Sequence, residues 1–143
     1  MRSVLKILQI QTEKDLEFID LTPQFKEIVD EAGIADGLAL VMTMHTTTAI
    51  TVNEGLPDLE EDLQNMLCEL VSAEKRYRHN QFLHSDGQMA VNAPSHLRGA
   101  LLGFEAFFPV KQGKPIMGGR QTIYLVELDG PLLRNVAIQV LGE

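Results

Sequence analysis

This sequence predicts an α+β fold built on a largely antiparallel sheet, and three observations carry that expectation. Strand-like segments come in runs instead of alternating with helices, in the order ββ-α-ββ-α-α-βββ. The three helical stretches each open at a proline, Pro23, Pro57 and Pro94, a residue suited to the first helical turn. The links between the last three strands carry turn chemistry, QGKP at 112–115 and DGP at 129–131. A chain of 143 residues with 45% apolar side chains is read as one domain, able to bury a core that offsets its ordering entropy.

The segment 2–11 (RSVLKILQIQ) alternates loosely and reads as a strand rather than a secretory signal, and 16–20 (LEFID) as a second, short strand. Thr22 is expected to cap the first helix ahead of Pro23. Phe25, Ile28, Val29 and Ala32 then recur at helical spacing, and Gly33 ends the helix in the left-handed region. GLALVMTMHTTTAITVNE is long for one strand and holds its polar cluster, His45–Thr48, in the middle. It divides into strands 37–44 and 48–53 around a tight corner or bulge.

The second helix starts at Pro57-Asp58 and sets Leu59, Leu63, Met66, Leu67 and Leu70 on one face, with Cys68 inside the pattern as a small buried hydrophobe. Glu60, Glu61 and Asp62 suit the positive end of its dipole. Residues 73–93 show no periodicity, and a loop of that length is commonly functional or disordered. Pro94 sits in the first turn of a short helix that has Leu97, Leu101 and Leu102 as its apolar face and ends at Gly103. Strands 104–110, 120–128 and 133–141 close the chain. The helices should cover one face of the sheet and leave the other for another subunit.

The formal net charge of −8 argues against nucleic acid or an anionic membrane as partner, because phosphate binding needs a basic footprint. No apolar run approaches the roughly 18–20 residues of a bilayer span. The single cysteine, Cys68, excludes an intrachain disulfide and fits a reducing, cytoplasmic setting. The basic residues are uneven. Lys75, Arg76 and Arg78 precede His79, and Arg98, Lys111, Lys114, Arg120 and Arg134 crowd the last third, so a local cationic pocket within an acidic whole stays open.

No Walker loop, nucleotide GxGxxG or GxSxG elbow is present. The candidates for chemistry are therefore the histidines. His45 stands at the polar corner, His79 in the irregular loop and His96 in the first turn of a helix, all at element ends, where sites are built. Three converging imidazoles are the donor set of a catalytic zinc site, and equally a set of acid–base groups that titrate near neutral pH. His84, in HSDG, reads as a loop histidine. Glu54 is either a structural bridge or a carboxylate partner for a histidine.

At these residues the sequence resembles a known family. HTTTAITVNE (45–54) is similar to its signature H-T-[ST]-A-[AS]-[IL]-x-[VL]-N-E, and Tyr77-Arg78-His79 to its Y-x-H element. NAPSHLRGALLG (92–103) resembles its N-A-x-x-H-[LI]-[KR] block, and LVELDGPLLRNVAIQVLGE (125–143) its closing E-x-D-G-P-R-x-R strand. The family is the YjbQ-like one, associated with a secondary thiamine-phosphate synthase activity. The resemblance implies a small barrel-like sheet, a homotrimer, and His45, His79 and His96 gathered near a subunit boundary at a site for a divalent metal (zinc or magnesium) or an anion. It implies a phosphorylated small molecule as substrate, with Arg98, Lys114 and Arg134 able to meet a departing diphosphate and Gln121 at a further recurring polar position. Arg120 and Leu132 stand where the family pattern has tryptophan and arginine. That keeps a second reading in view, a non-catalytic trimer that binds a metal or a metabolite.

Overall fold

The structure, a computed structural model, describes residues 1–81 and 91–143; His84, Asp86 and Gly87 lie outside the described residues. Its elements are β1 (Arg2–Gln11), β2 (Glu17–Asp20), α1 (Thr22–Glu31), β3 (Asp36–Thr43), β4 (Thr48–Glu54), α2 (Pro57–Leu70), a 3-10 turn (Arg78–Asn80), α3 (Ala93–Leu102), β5 (Glu105–Lys111), β6 (Lys114–Pro115), β7 (Gln121–Glu127) and β8 (Leu133–Gly142). They form a five-stranded sheet in the order β1-β8-β3-β5-β6, shaped as a half-barrel, and a three-stranded sheet, β2-β7-β4. Every pairing is antiparallel.

Periodicity decides which face each strand buries. In β8, Val136, Ile138 and Val140 point inward, opposite Ala39 and Val41 of β3 and Val4, Leu8 and Ile10 of β1. α1 adds Phe25, Ile28 and Val29 to the same core, and Phe25 packs a tilted ring on Phe108 at 5.3 Å. β7 reads as a near-continuous apolar run because both its faces are covered. Ile123 and Leu125 enter the main core, while Tyr124 and Val126 enter a second cluster with Ala49, Leu67 of α2 and Leu102 of α3. Burying one such side chain stabilises the fold by about 1.5–3 kcal/mol. The layers are therefore large sheet and α1, small sheet, then α2 and α3.

Gly33 adopts φ +60° at the end of α1, as its position suggested. Gln112 and Gly113, at φ 51° and 75°, make the two-residue turn joining β5 to β6. That turn has the left-handed backbone that matches hairpin twist.

Three expectations are corrected. The Thr22 hydroxyl does not cap α1; it accepts the Ile123 N–H at 2.9 Å, tying the helix to β7, and Leu21 stands at the cap position. Of the apolar stripe on α2 only Leu67 is buried, and Met66, Leu70 and Cys68 are exposed. The helix meets the small sheet along a narrow strip, so an amphipathic pattern overstated its burial. The stretch 73–93 holds a 3-10 turn, while Pro94 does fall in the first turn of α3. The outer face of the large sheet carries exposed Leu5, Ile7, Leu38 and Phe107.

Candidate functional site

The His45–Thr48 cluster forms the corner where the chain leaves the large sheet at Thr43 and enters the small sheet at Thr48. Hydroxyls build this corner. Thr43 Oγ1 and Thr48 Oγ1 hydrogen-bond to each other, Thr43 Oγ1 accepts the His45 N–H at 3.3 Å, and Thr48 Oγ1 donates to the His45 carbonyl at 3.2 Å. Outside the ladder proper, the Met44 N–H donates to the Asn135 carbonyl at 3.1 Å. One step on, the ladder continues through a side chain: the Asn135 N–H donates to Nε2 of His45 at 2.9 Å.

That bond sets the state of His45. An Nε2 that accepts carries no hydrogen, so in the neutral ring the hydrogen is on Nδ1. Burial lowers its pKa below the usual histidine value, nearby Arg134 lowers it further, and Glu127 opposes them without prevailing. His45 is thus a neutral imidazole that offers an N–H.

α3 rests on the same corner. A Cβ on Gly99 would meet the carbonyl oxygens of Thr46 and Thr48 at 3.3 and 3.4 Å, a tight approach that the bare glycine permits. This brings His96 to the corner, and His45 and His96 line one open cleft of about 530 Å³ with Met42, Met44 and Phe104 among its other walls. His96 also faces the other way. Its ring meets that of His79 edge-to-face at 5.0 Å, and the two line a neighbouring recess of about 390 Å³ with Tyr77 and Leu97. His96 therefore stands between His45 on one side and His79 on the other.

His79 is held from its own turn and from α3. The Ala93 N–H donates to Asn80 Oδ1 at 2.8 Å, and Tyr77 Oη donates to the Ser72 carbonyl at 2.7 Å. His79 Nε2 lies 3.2 Å from Asn92 Oδ1, and Asn92 Nδ2 donates to Asp129 Oδ2 at 2.9 Å.

Beneath the corner lies a buried ion pair. Arg134, 4% exposed, donates from Nε to Glu127 Oε2 at 2.7 Å and from Nη2 to Oε1 at 2.6 Å, while Glu127 is 0% exposed. Arg134 also donates to Thr47 Oγ1 at 2.9 Å, and Thr12 Oγ1 lies 2.9 Å from Glu127 Oε2. The N–H groups of Leu128 and Asp129 donate to Glu127 Oε1. Burial alone would raise the pKa of Glu127, but hydrogen bonds from Arg134, Asp129 and Thr12 outweigh it and hold the carboxyl below its ordinary value. A Cβ on Gly130 would sit 2.7 Å from Glu127 Cγ and 2.1 Å from the Lys14 carbonyl, so the DGP turn must be glycine to fold over this pair.

The remaining candidates lie apart from the histidines. Arg98 points away from the cleft and donates Nε and Nη2 to the Val71 carbonyl at 3.2 and 2.8 Å, matching a cation to the negative end of α2. Glu54 pairs with Arg120 at 2.8 Å rather than with a histidine. Gln121 Oε1 accepts the Gly118 N–H at 2.7 Å. In the β4–β7 register Glu54 faces Gln121, whereas Thr48 faces Glu127, so the two pairs stand six residues, about 20 Å, apart. Lys114 borders a separate hollow with Lys26, Glu27 and Asp30. Asn92, Asp129 and Thr47 were not singled out from the sequence. Each lies inside a pattern noted above, Asn92 in the N-A-x-x-H block, Asp129 in the DGP turn and Thr47 in the polar corner, but the partner each one meets is set only by the tertiary fold.

Among the described residues the donor set does not fit a resident metal. Among the described residues no group of three or more His, Cys, Asp or Glu is arranged to hold one. His45 spends its Nε2 lone pair on Asn135 and carries a hydrogen on Nδ1, which leaves no nitrogen to ligate.

Comparison with known proteins agrees with this architecture. Residues 6–143 match the model of the family described as UPF0047 protein YjbQ-like. A UPF0047 protein of Archaeoglobus fulgidus is 39% identical over 94% of this chain and 98% of its own length. The Bacillus subtilis UPF0047 protein YugU is 35% identical over 97% of this chain and 100% of its own. The crystal structure of a YbjQ-like protein of unknown function from Sulfolobus solfataricus P2 superposes with TM-score 0.91 at 35% identity, covering 99% of each chain. A hypothetical protein from Aeropyrum pernix K1 gives TM-score 0.88 at 34% identity over 98% of this chain and 99% of that one. With the family model matched over nearly the whole length and relatives of this similarity, the chain belongs to the UPF0047, YjbQ-like, family.

Proposed function

We propose that the histidine cleft is the active site of a small transferase that acts on a phosphorylated small molecule by acid–base and hydrogen-bond chemistry. The observation that carries this reading is His96 standing between two clefts, with His45 on one and His79 on the other. His45 would act as a fixed N–H donor to a phosphate or leaving-group oxygen, work for which a neutral imidazole is suited. His79 and His96 would move protons. Thiamine-phosphate synthesis is the specific reaction to test. There the thiazole nitrogen attacks the pyrimidine methylene carbon, a C–N bond forms, and the C–O bond to diphosphate breaks and releases pyrophosphate.

No divalent ion enters this reading, because the histidines among the described residues are not arranged to hold one. The homotrimer belongs to it. Leu5, Ile7, Leu38 and Phe107 on the uncovered face of the large sheet are the surface that assembly would bury.

A second reading is a non-catalytic metabolite-binding module. The observation favouring it is that Arg98 and Arg134, two cations suited to a diphosphate, already serve Val71 and Glu127. Purified protein incubated with the pyrimidine diphosphate and the thiazole phosphate separates the two. Thiamine phosphate formed by the wild type and lost in His45→Ala supports the transferase. Saturable binding of the substrates with no product supports the module. Product formation undiminished in His45→Ala, His79→Ala and His96→Ala would remove the cleft from the reaction.

A further inference from the structure

We infer that Asn92 and Asp129 are a pair of positioning residues that fix the tautomer of His79 and leave its Nδ1 as the basic atom. The inference rests on the cleft being a site of proton transfer, and it says which atom of His79 does the transfer.

A directional chain of donors and acceptors runs from Asp129 through Asn92 to His79. Asp129 offers only acceptor oxygens, so the Asn92 amide must turn its NH₂ toward it, as the 2.9 Å contact to Oδ2 records. Asn92 Oδ1 then has to face the other way, where it lies 3.2 Å from His79 Nε2. An amide oxygen can only accept, so Nε2 must carry the hydrogen. In the neutral ring that leaves the lone pair on Nδ1. The far end of the chain is itself anchored, since the Asp129 N–H donates to Glu127 Oε1 at 2.9 Å inside the buried pair with Arg134.

Asn92 does this without being tied up by the helix. Its side chain makes no capping bond to α3. Its carbonyl, by contrast, accepts the N–H groups of Ser95 and His96 at 3.0 and 3.3 Å. One residue thus places the start of the helix bearing His96 and orients the ring of His79. Among the described residues, the other polar groups facing His79 are the His96 ring and, along the recess, Tyr77 and Arg78. None is a carboxylate, so none competes with Asn92 to accept the Nε2 hydrogen.

The two histidines bordering the site are set in opposite senses. His45 accepts at Nε2 and keeps its hydrogen on Nδ1. His79 donates at Nε2 and keeps its lone pair on Nδ1. A fixed donor and a fixed acceptor within one histidine group is the arrangement a proton-transfer site needs.

The test reads tautomers directly, without substrate. Histidine-¹⁵N-labelled protein is examined by long-range ¹H–¹⁵N correlation at about pH 8.5, above the ordinary histidine range, with His79 identified by the loss of its signals in His79→Gln. The wild type should show His79 in the Nε2–H form and His45 in the Nδ1–H form. Asn92→Ala and Asp129→Ala should each shift His79 to a mixture of tautomers while leaving His45 unchanged; if Asn92→Ala fails to fold, Asp129→Ala carries the test. His79 in the Nδ1–H form in the wild type, or an Nε2–H form unmoved by both substitutions, would overturn the inference. The expected tautomers together with no product from the transferase assay would sink the proposed reaction and leave the positioning pair standing.

Discussion

Replacing Arg134 by methionine tests the electrostatics beneath the site. The substitution keeps much of the length and apolar volume of the side chain and removes its charge, leaving Glu127, 0% exposed, without its cation. Breaking a buried pair by removing one partner costs about 3–5 kcal/mol, because an uncompensated charge stays buried. Glu127 retains the Leu128 and Asp129 N–H groups and Thr12, which places the expected loss near the lower bound, about 3 kcal/mol. Against a typical stability of about 5–15 kcal/mol that is a large fraction, measurable as a fall in the urea midpoint at pH 7. The double variant Arg134→Met/Glu127→Gln should recover at least about 1 kcal/mol relative to Arg134→Met alone, since the amide keeps an acceptor and carries no charge. The titration of His45 supplies an independent reading. Arg134 lowers its pKa and Glu127 raises it, so in Arg134→Met the histidine should titrate at higher pH than in the wild type. A loss below about 1 kcal/mol, the size found for exposed pairs, together with an unmoved His45, would refute the argument that this pair is sealed from water.

The pH dependence of stability should show two windows. The folded pKa of His45 lies below its unfolded 6.5, so the unfolded chain binds more protons there; stability is full above 6.5 and declines as pH falls through the window beneath it. Glu127 is likewise depressed below 4.5, so its contribution holds above 4.5 and is lost as pH drops through its folded value. Denaturation in His45→Gln should lack the upper window and keep the lower. Gly99→Val should force α3 away from the Thr46 and Thr48 carbonyls, costing about 1–3 kcal/mol, and its His96 resonance should shift with that displacement. Arg98→Met should release the C-terminal end of α2, with faster amide exchange in its last turn and a loss of about 1–3 kcal/mol, while the His45 and His79 tautomers stay as in the wild type.

Most of the fold was legible along the chain. The strand boundaries of β1, β3, β4 and β8 fall within a few residues of the expectation because alternation and turn residues act locally. Gly33 was recognised for the same reason: a left-handed residue after a helix is written in the glycine itself. The fate of α2 was not legible. Its stripe of Leu59, Leu63, Met66, Leu67 and Leu70 has the right period, but only Leu67 is buried, Leu59 and Leu63 are half-buried, and Met66 and Leu70 are exposed. Periodicity states which residues share a face and says nothing of how much surface that face meets. Thr22 shows the same gap, since its hydroxyl had two acceptable partners and the position of β7 chose between them.

In the site the division is sharper. The three histidines stood out because each sits at an element end beside turn or helix-start residues, and the resemblance to the YjbQ-like family marked the same set. Their states were decided elsewhere. Whether His45 donates or accepts depends on an N–H 90 residues away, at Asn135, and whether His79 does depends on Asn92 holding a carboxylate from the turn after β7. The Arg134–Glu127 pair closes against Thr12, 115 residues from Glu127, and this is what holds Arg134 buried beneath the corner. Residue type and local spacing determined which groups able to move protons this chain possesses. Only the packing of the two sheets and α3 determined which nitrogen of the His45 and His79 rings is engaged, because a hydrogen bond is a property of a pair and its partners here are distant in the chain.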